Sequence, residues 1–255
     1  MTTKITTNTD SNHNMIYLLA TNNPGKAKEI APMFEAAGLT LISLADLGLS
    51  FEAAEDGTTF LENATQKAKE TAAFVRKEVM LRQLNNDPRQ FKFPWLARLF
   101  LDNLRGKPSP RGLYNFAVLA DDSGLEIDAL DGAPGVDSAL YMGRDTPYPI
   151  KNQSIIEKLA NTPEENRSAR FICQLVCLMP DSTTLTTQGT IEGRIAHTPA
   201  GDGGFGYDPI FFHPPTNKTL AQLSKAEKNK LSHRGQAIQK MIGLITNGKP
   251  SDTGN

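Results

Sequence analysis

The feature that most constrains this chain is the order of its apolar runs. Short apolar stretches alternate with longer amphipathic ones, and the second half adds two alternating stretches in succession. Met15–Thr21 (MIYLLAT) fits a buried strand. The next segment, NNPGKAKEIAPMFEAAG, reads as a helix with Asn23 as its cap, Pro24 in its first turn and Gly38 as its stop. Pro32 inside it is expected to kink or shorten it. LTLISL reads as a second strand. GTTFLENATQKAKETAAFVRK reads as an amphipathic helix with Phe60, Ala64, Ala68 and Ala72 on one stripe, capped by Thr58 or Thr59. NFAVLADDSG returns to strand, with a turn expected over Asp121–Gly124 and another over Gly132–Gly135. IKNQSIIEKLANT is helical, ARFICQLVCLM and TTLTTQGTIEGRIA form an antiparallel pair, and DPIFFHP is a short strand. One closing helix, SKAEKNKLSHRGQAIQKMIGLI, carries Leu231, Ile238, Met241, Ile242 and Ile245 as its apolar positions. Interleaved elements with an antiparallel second half predict an α/β fold on a mixed sheet.

Size and charge narrow the class. A chain of 255 residues makes one large domain or two small ones. Its net charge of −1 implies neither a nucleic-acid nor a membrane partner. The charge is uneven, however: Arg76–Arg111 holds nine Lys/Arg against three Asp/Glu, which leaves 18 against 25 elsewhere. Cys173 and Cys177 make no disulfide framework, and their alternation puts both thiols on one face of a strand, buried and reduced. No apolar run reaches the ~18 residues of a membrane helix. The polar start, MTTKITTNTDSNHN, lacks the apolar core of a signal peptide. Residues 1–14 and 247–255 read as loose tails, 15–246 as one domain, and the compartment as the cytoplasm.

Five segments concentrate chemistry. TNNPGK sets Thr21, Asn23 and Lys26 at a strand-to-helix turn, where free backbone N–H groups attract anions; it also reads as ordinary turn chemistry. In EDGTTFLENATQKAKE, Glu55 precedes the helix, Glu62 can complete a capping box, and Lys67 faces a cleft or simply water. VLADDSG brings Asp121 and Asp122 together, as a polar turn or as a metal or acid/base site. AGDGGFGYDPIF surrounds Phe205 and Tyr207 with glycines: a loop that stacks on a planar base, or one anchored by a core phenylalanine. EKNKLSHRGQA sets Ser232, His233 and Arg234 side by side as polar donors near the last helix.

In this order the five segments resemble the inosine triphosphate pyrophosphatase family, which includes the bacterial dITP/XTP pyrophosphatases. The resemblance covers about residues 15–75 and 115–246. It implies a two-lobed α/β fold with a long curved mixed sheet, flanking helices and an active-site cleft between the lobes. It implies hydrolysis of deaminated purine nucleoside triphosphates (dITP, ITP, XTP) to the monophosphate and pyrophosphate with Mg²⁺, by a homodimer. Carried over residue by residue, Thr21, Asn23, Lys26 and Lys67 bind the triphosphate. Glu55 and Asp122 hold magnesium, with Asp121 close by. Asp122 accepts the proton, and Ser123 touches substrate. Phe205, Gly206, Tyr207 and Asp208 hold the base. Lys228, His233 and Arg234 complete recognition of base and phosphates.

Two departures accompany the resemblance. Leu140 stands where the family usually has an arginine. A basic insertion lies at about 76–115, where PWLARLFLDNL with Trp95 is expected to form a helix packed on the protein or at a dimer interface. Two rival readings stay in view: a phosphatase that releases terminal phosphate, and a non-catalytic nucleotide-binding regulator. The absence of a D-x-D spacing in ADDSG disfavours a haloacid-type phosphatase.

Overall fold

The structure is a computed structural model that describes residues 15–84 and 116–247. The N-terminal tail, the C-terminal tail beyond Asn247, most of the basic insertion and the expected Trp95 helix lie outside the described residues.

Seven strands form one mixed sheet in the order β2-β1-β3-β4-β5-β6-β7. They span Ile16–Leu19 (β1), Thr40–Ser43 (β2), Phe116–Ile127 (β3), Ser168–Leu178 (β4), Thr184–Ile195 (β5), Phe211–His213 (β6) and Lys218–Thr219 (β7). The described α-helices are α1 (Pro24–Ala36), α2 (Phe60–Leu84), α3 (Tyr148–Lys158), α4 (Lys225–Leu231) and α5 (His233–Thr246). β1 lies parallel to both β2 and β3. Every later pairing, from β3–β4 to β6–β7, is antiparallel.

Helices cover both faces of the β1–β3 region. On one face α2 lays Ala64, Ala68, Ala72 and Val75 against Leu18, Val118 and Val176. The alanines recur every fourth residue and let the helix come close to the sheet. On the other face Ile30 and Phe34 of α1 join Ala237, Ile238, Met241 and Ile245 of α5. Cys173 and Cys177 point into this second layer as buried free thiols, so the expected alternation holds. A third apolar cluster binds α3 to the antiparallel part, through Ile155, Leu125, Phe171, Ile191 and Phe211.

Three local expectations are corrected. Asp121–Gly124 is not a turn: β3 runs through it, with Asp121 opposite Leu175 and Gly124 opposite Ile172 on β4. The glycine that signalled a turn serves packing instead, since a Cβ at Gly124 would meet the Gly135 carbonyl at 2.2 Å. The closing helix is two helices broken at Ser232, whose extended backbone (φ −67°, ψ 155°) ends α4 and caps α5. The Ser232 hydroxyl accepts from the Gly235 amide at 3.1 Å. Pro32 does not shorten α1, which continues to Ala36; it sits on the exposed side, where water can take the bond its ring removes. Gly38 does end α1, at φ 71°, with Leu39 N–H reaching back to the Phe34 carbonyl.

Candidate active site

The site begins where the parallel part of the sheet stops. The last rung beside β1 is Ala20 N–H to the Leu119 carbonyl, at 2.8 Å. The chain then turns away into α1, while β3 continues with β4 alone on that stretch. A crevice at the carboxyl end of parallel strands is the usual ligand position in α/β sheets. Beyond this rung β3 runs on through Ala120 to Asp121 and Asp122.

The pleat separates them. Successive strand side chains point to opposite faces. Asp121 falls on the side of α1 and α5, Asp122 on the side of α2. Asp121 is 1% exposed and meets cations: Lys26 at 2.9 Å and Arg234 at 3.4 Å. The Ser123 hydroxyl donates to the same carboxylate at 2.8 Å. Burial opposes its ionisation, but Lys26, Arg234 and Lys67 outweigh burial and hold the carboxyl well below the usual range. Among the described residues Asp122 has no ion pair of that kind. The Asn63 amide donates to it at 3.1 Å, and burial raises its pKa against the pull of Lys67 and Lys26.

Lys67 lies one helical turn after Asn63, on the same face of α2. Its ammonium pairs with Glu55 and donates to the Asp121 carbonyl at 3.1 Å. Burial alone would lower its pKa; Asp121, Glu55 and Asp122 raise it above the ordinary value. The cleft alternative for Lys67 is therefore the observed one. Glu62 is purely structural: it accepts from the Thr58 and Thr59 amides while its own amide donates to the Thr59 hydroxyl.

The α1 start forms a second wall. Asn23 caps the helix, accepting from Gly25 N–H at 2.8 Å, and Thr21 accepts from Asn23 N–H at 3.1 Å. Against this turn lies the Phe205 ring; a Cβ on Gly25 would meet it at 2.9 Å. The ammonium of Lys228 and the guanidinium of Arg234 sit 4.9 and 5.4 Å from the ring centre. Asp208 fixes the loop, accepting from Phe205 N–H at 2.7 Å and from Lys228 at 2.6 Å. Gly204 and Gly206 both adopt φ 69°, and a Cβ on Gly204 would lie 2.1 Å from the Asp208 carboxylate. Tyr207 is turned inward: its hydroxyl donates to the Ser138 carbonyl at 2.7 Å, so it anchors the loop.

His233 stacks on Phe171 with ring centroids 4.7 Å apart. Burial, then the Arg234 and Lys228 charges, hold its pKa well below the ordinary histidine value. Its first-turn place in α5 adds to this, because a helix N-terminus disfavours a cation. The imidazole is neutral, and its Nδ1 is buried with no hydrogen-bond partner among the described residues. Arg234 has all three nitrogens engaged, with Asp121, Glu29 and Ser123.

All the sequence-predicted site residues except Asp121 line one cleft of about 260 Å³. Asp121 stands behind the wall and supports it. Two residues escaped the sequence reading. Glu29 joins Lys228 (2.7 Å) to Arg234 (2.6 Å). Its signal was the three-residue spacing from Lys26 on α1. Asn63 was legible in the same way, four residues before Lys67. Leu140, the departure from the family pattern, is partly exposed and lines the cleft; Arg144 lines it too and pairs with Glu52 at 2.5 Å.

The donor set suits a hard cation. Among the described residues no group of three or more His, Cys, Asp or Glu forms a protein cage. Mg²⁺ does not need one: it is usually held by one or two carboxylates, waters and substrate phosphates. Glu55 and Asp122, facing Lys67 from the same cleft, fit that mode.

Fold and cleft together make an α/β protein with one cleft that holds cations and a helix start near an aromatic ring. The chain belongs to the Ham1 family, whose profile matches residues 17–84 and 98–244. It is 40% identical to the dITP/XTP pyrophosphatase of Exiguobacterium sibiricum over 232 residues, 91% of this chain and 98% of that one. It is 37% identical to the dITP/XTP pyrophosphatase of Escherichia coli K12 over 233 residues, again 91% and 98%. Among solved structures, a HAM1 protein from Coxiella burnetii superposes with a TM-score of 0.68 at 32% identity, covering 92% of this chain and all of the other.

Proposed function

We propose that this protein hydrolyses deaminated purine nucleoside triphosphates (dITP, ITP and XTP) to the monophosphate and pyrophosphate, and so clears them from the nucleotide pool. The observation that carries the proposal is one cleft with Lys26, Lys67 and the α1 start at one end, Phe205 and His233 at the other, and Asp122 and Glu55 beside the cations. The names of the relatives, dITP/XTP pyrophosphatases, support the substrate class.

Each residue has a task. Thr21, Asn23 and Lys26 receive the phosphates at the helix start, and Lys67 reaches them from α2. Phosphoryl transfer needs positioning and charge stabilisation more than covalent chemistry. Glu55 and Asp122 would hold Mg²⁺, which when bound neutralises charge and polarises the α-phosphoryl oxygen. Asp122, whose pKa burial raises, takes the proton from the attacking water. Asp121 stays ionised and keeps Lys26 and Arg234 in place.

The base lies against Phe205. Hypoxanthine and xanthine present a 6-carbonyl acceptor, and adenine presents an amino donor. His233, neutral and buried, together with backbone N–H groups, is suited to donate; Arg234 is committed to its protein partners. A mismatched buried polar group costs about 1–3 kcal/mol, a factor of about 5 to 150 against adenine.

The same reading includes a homodimer, on the family resemblance, and a place in the cytoplasm, on the polar N-terminal stretch and the buried free thiols. It includes no nucleic-acid or membrane partner, in keeping with the net charge of −1. No helix among the described residues is long and apolar enough to cross a membrane. The test is hydrolysis of dITP, ITP, XTP, GTP and ATP side by side with Mg²⁺. Pyrophosphate from the first three is expected. Orthophosphate as first product would favour the phosphatase rival, and tight binding without turnover the regulator.

A further inference from the structure

We infer that Lys67 is the resident counter-ion of Glu55 in the free protein and competes with the metal for that carboxylate, so that the metal is admitted only together with phosphates. The inference rests on the reading of Glu55 and Asp122 as the metal-holding pair. Three observations carry it. First, the Lys67 ammonium is ion-paired with Glu55, at the carboxylate a metal would need. Like charges a few Å apart repel strongly where water is scarce, so an ammonium already paired with the carboxylate weakens Mg²⁺ binding there.

Second, the Lys67 side chain is only 12% exposed and is held between Glu55 and the Asp121 backbone carbonyl, so room for a cation at Glu55 requires the ammonium to move. Third, it has a hinge for that movement, a separate hydrogen bond to the Asp121 backbone carbonyl at 3.1 Å. Rotation about this anchor takes the ammonium off Glu55 without stranding it. Phosphates supply the replacement anion. Lys26 is the internal contrast: it pairs with Asp121, and among the described residues the ion pair of Glu55 is with Lys67. By linkage, whatever draws Lys67 off Glu55 tightens metal binding, and metal on Glu55 tightens phosphate binding by the same factor.

The test is a calorimetric titration of Mg²⁺ alone, without nucleotide, into the full-length protein and its variants. Lys67→Met is expected to bind Mg²⁺ at least about tenfold more tightly than wild type. Lys26→Met, which removes a nearby charge but not the competitor, is expected to gain less than about threefold. Glu55→Gln combined with Lys67→Met is expected to lose the gain. If Lys67→Met is poorly folded by circular dichroism, Lys67→Gln serves instead, since its amide can still donate to the Asp121 carbonyl. Unchanged affinity in the Lys67 variant, or equal gains at Lys26 and Lys67, overturns the inference. A parallel Mg²⁺ titration of wild-type dITP hydrolysis separates the two readings. Hydrolysis indifferent to Mg²⁺ overturns the cofactor assignment itself. Mg²⁺-dependent hydrolysis with no tightening in the Lys67 variant overturns the counter-ion inference alone.

Discussion

Asp121 and Asp122 are neighbours in the chain and strangers in the fold. The strand pleat sends one toward α1 and α5, into a cage of Lys26, Arg234 and Ser123. It sends the other toward α2, beside the neutral amide of Asn63. Cations hold Asp121 ionised, and burial pushes Asp122 the opposite way. Pairs of carboxylates whose environments drive their pKa values apart are a recurring way to divide acid–base labour. Here the difference in environment needs no loop or special backbone. It follows from placing two acids in succession on a strand whose two faces are covered by different helices.

The sharpest way to break this comparison is to neutralise each acid in turn. Asp122→Asn is expected to lower kcat by about 10³-fold or more, through loss of both the proposed base and a proposed metal carboxylate. Nucleotide affinity by calorimetry and melting temperature are expected to stay close to wild type. Asp121→Asn has the reverse emphasis. It leaves Lys26 and Arg234 buried without their carboxylate, and removing one member of a buried charge cluster costs about 3–5 kcal/mol. For a chain of this size that lowers the melting temperature by about 6–20 °C. If Asp121→Asn melts normally and loses turnover as fully as Asp122→Asn, the assigned roles are reversed.

Much of this contrast was legible in the sequence, but not its geometry. The interleaved apolar runs imply a mixed sheet because their periods differ, and the alanine stripe of α2 packs as its spacing requires. The strand through Asp121–Gly124 was hidden because Asp, Ser and Gly are turn residues when nothing is known of their neighbours. Their actual reasons are long-range: two acids serve two walls of the cleft, and Gly124 makes room for Gly135. The break at Ser232 was hidden by continuous apolar periodicity on both sides of it. Glu29 and Asn63 carry ordinary helix-surface identities, and only the tertiary packing brings them to Arg234 and Asp122.

Two further changes sharpen the comparison with smaller effects. Asn63→Ala leaves the Asp122 carboxylate without its orienting amide and the Gly57 N–H without its acceptor. Turnover is expected to fall about 10- to 100-fold, with KM changing much less, as for partners that orient metal-holding groups. His233 provides a pH test. Its folded pKa lies well below the ordinary value of about 6.5, so below that pH the unfolded chain binds a proton the folded one refuses. Stability from this group is complete above pH about 6.5 and falls as the pH drops, by at most about 1.4 kcal/mol per unit. Thermal melts at pH 7.5 and 5.5 are expected to show a smaller acid loss in His233→Asn than in wild type. Equal losses would mean that the imidazole is not held neutral.

The smallest effect belongs to the rim. Arg144 and Glu52 both line the cleft and pair at 2.5 Å, yet their side chains are 62% and 66% exposed. Water and salt screen such a pair, and it contributes about 0–1 kcal/mol. The contrast with Asp121 is one of burial, not of charge: the same ion-pair chemistry is structural behind the wall and nearly free at the mouth. Arg144→Ala is therefore expected to lower the melting temperature by no more than about 4 °C. Its guanidinium, four residues beyond Leu140, still adds positive potential where a triphosphate enters. KM for dITP is expected to rise by less than about fivefold, with kcat unchanged and the difference vanishing in high salt. A large loss of kcat in Arg144→Ala, persisting in salt, would show that the rim takes part in the chemistry and that burial does not divide the charges of this cleft as the two aspartates suggest.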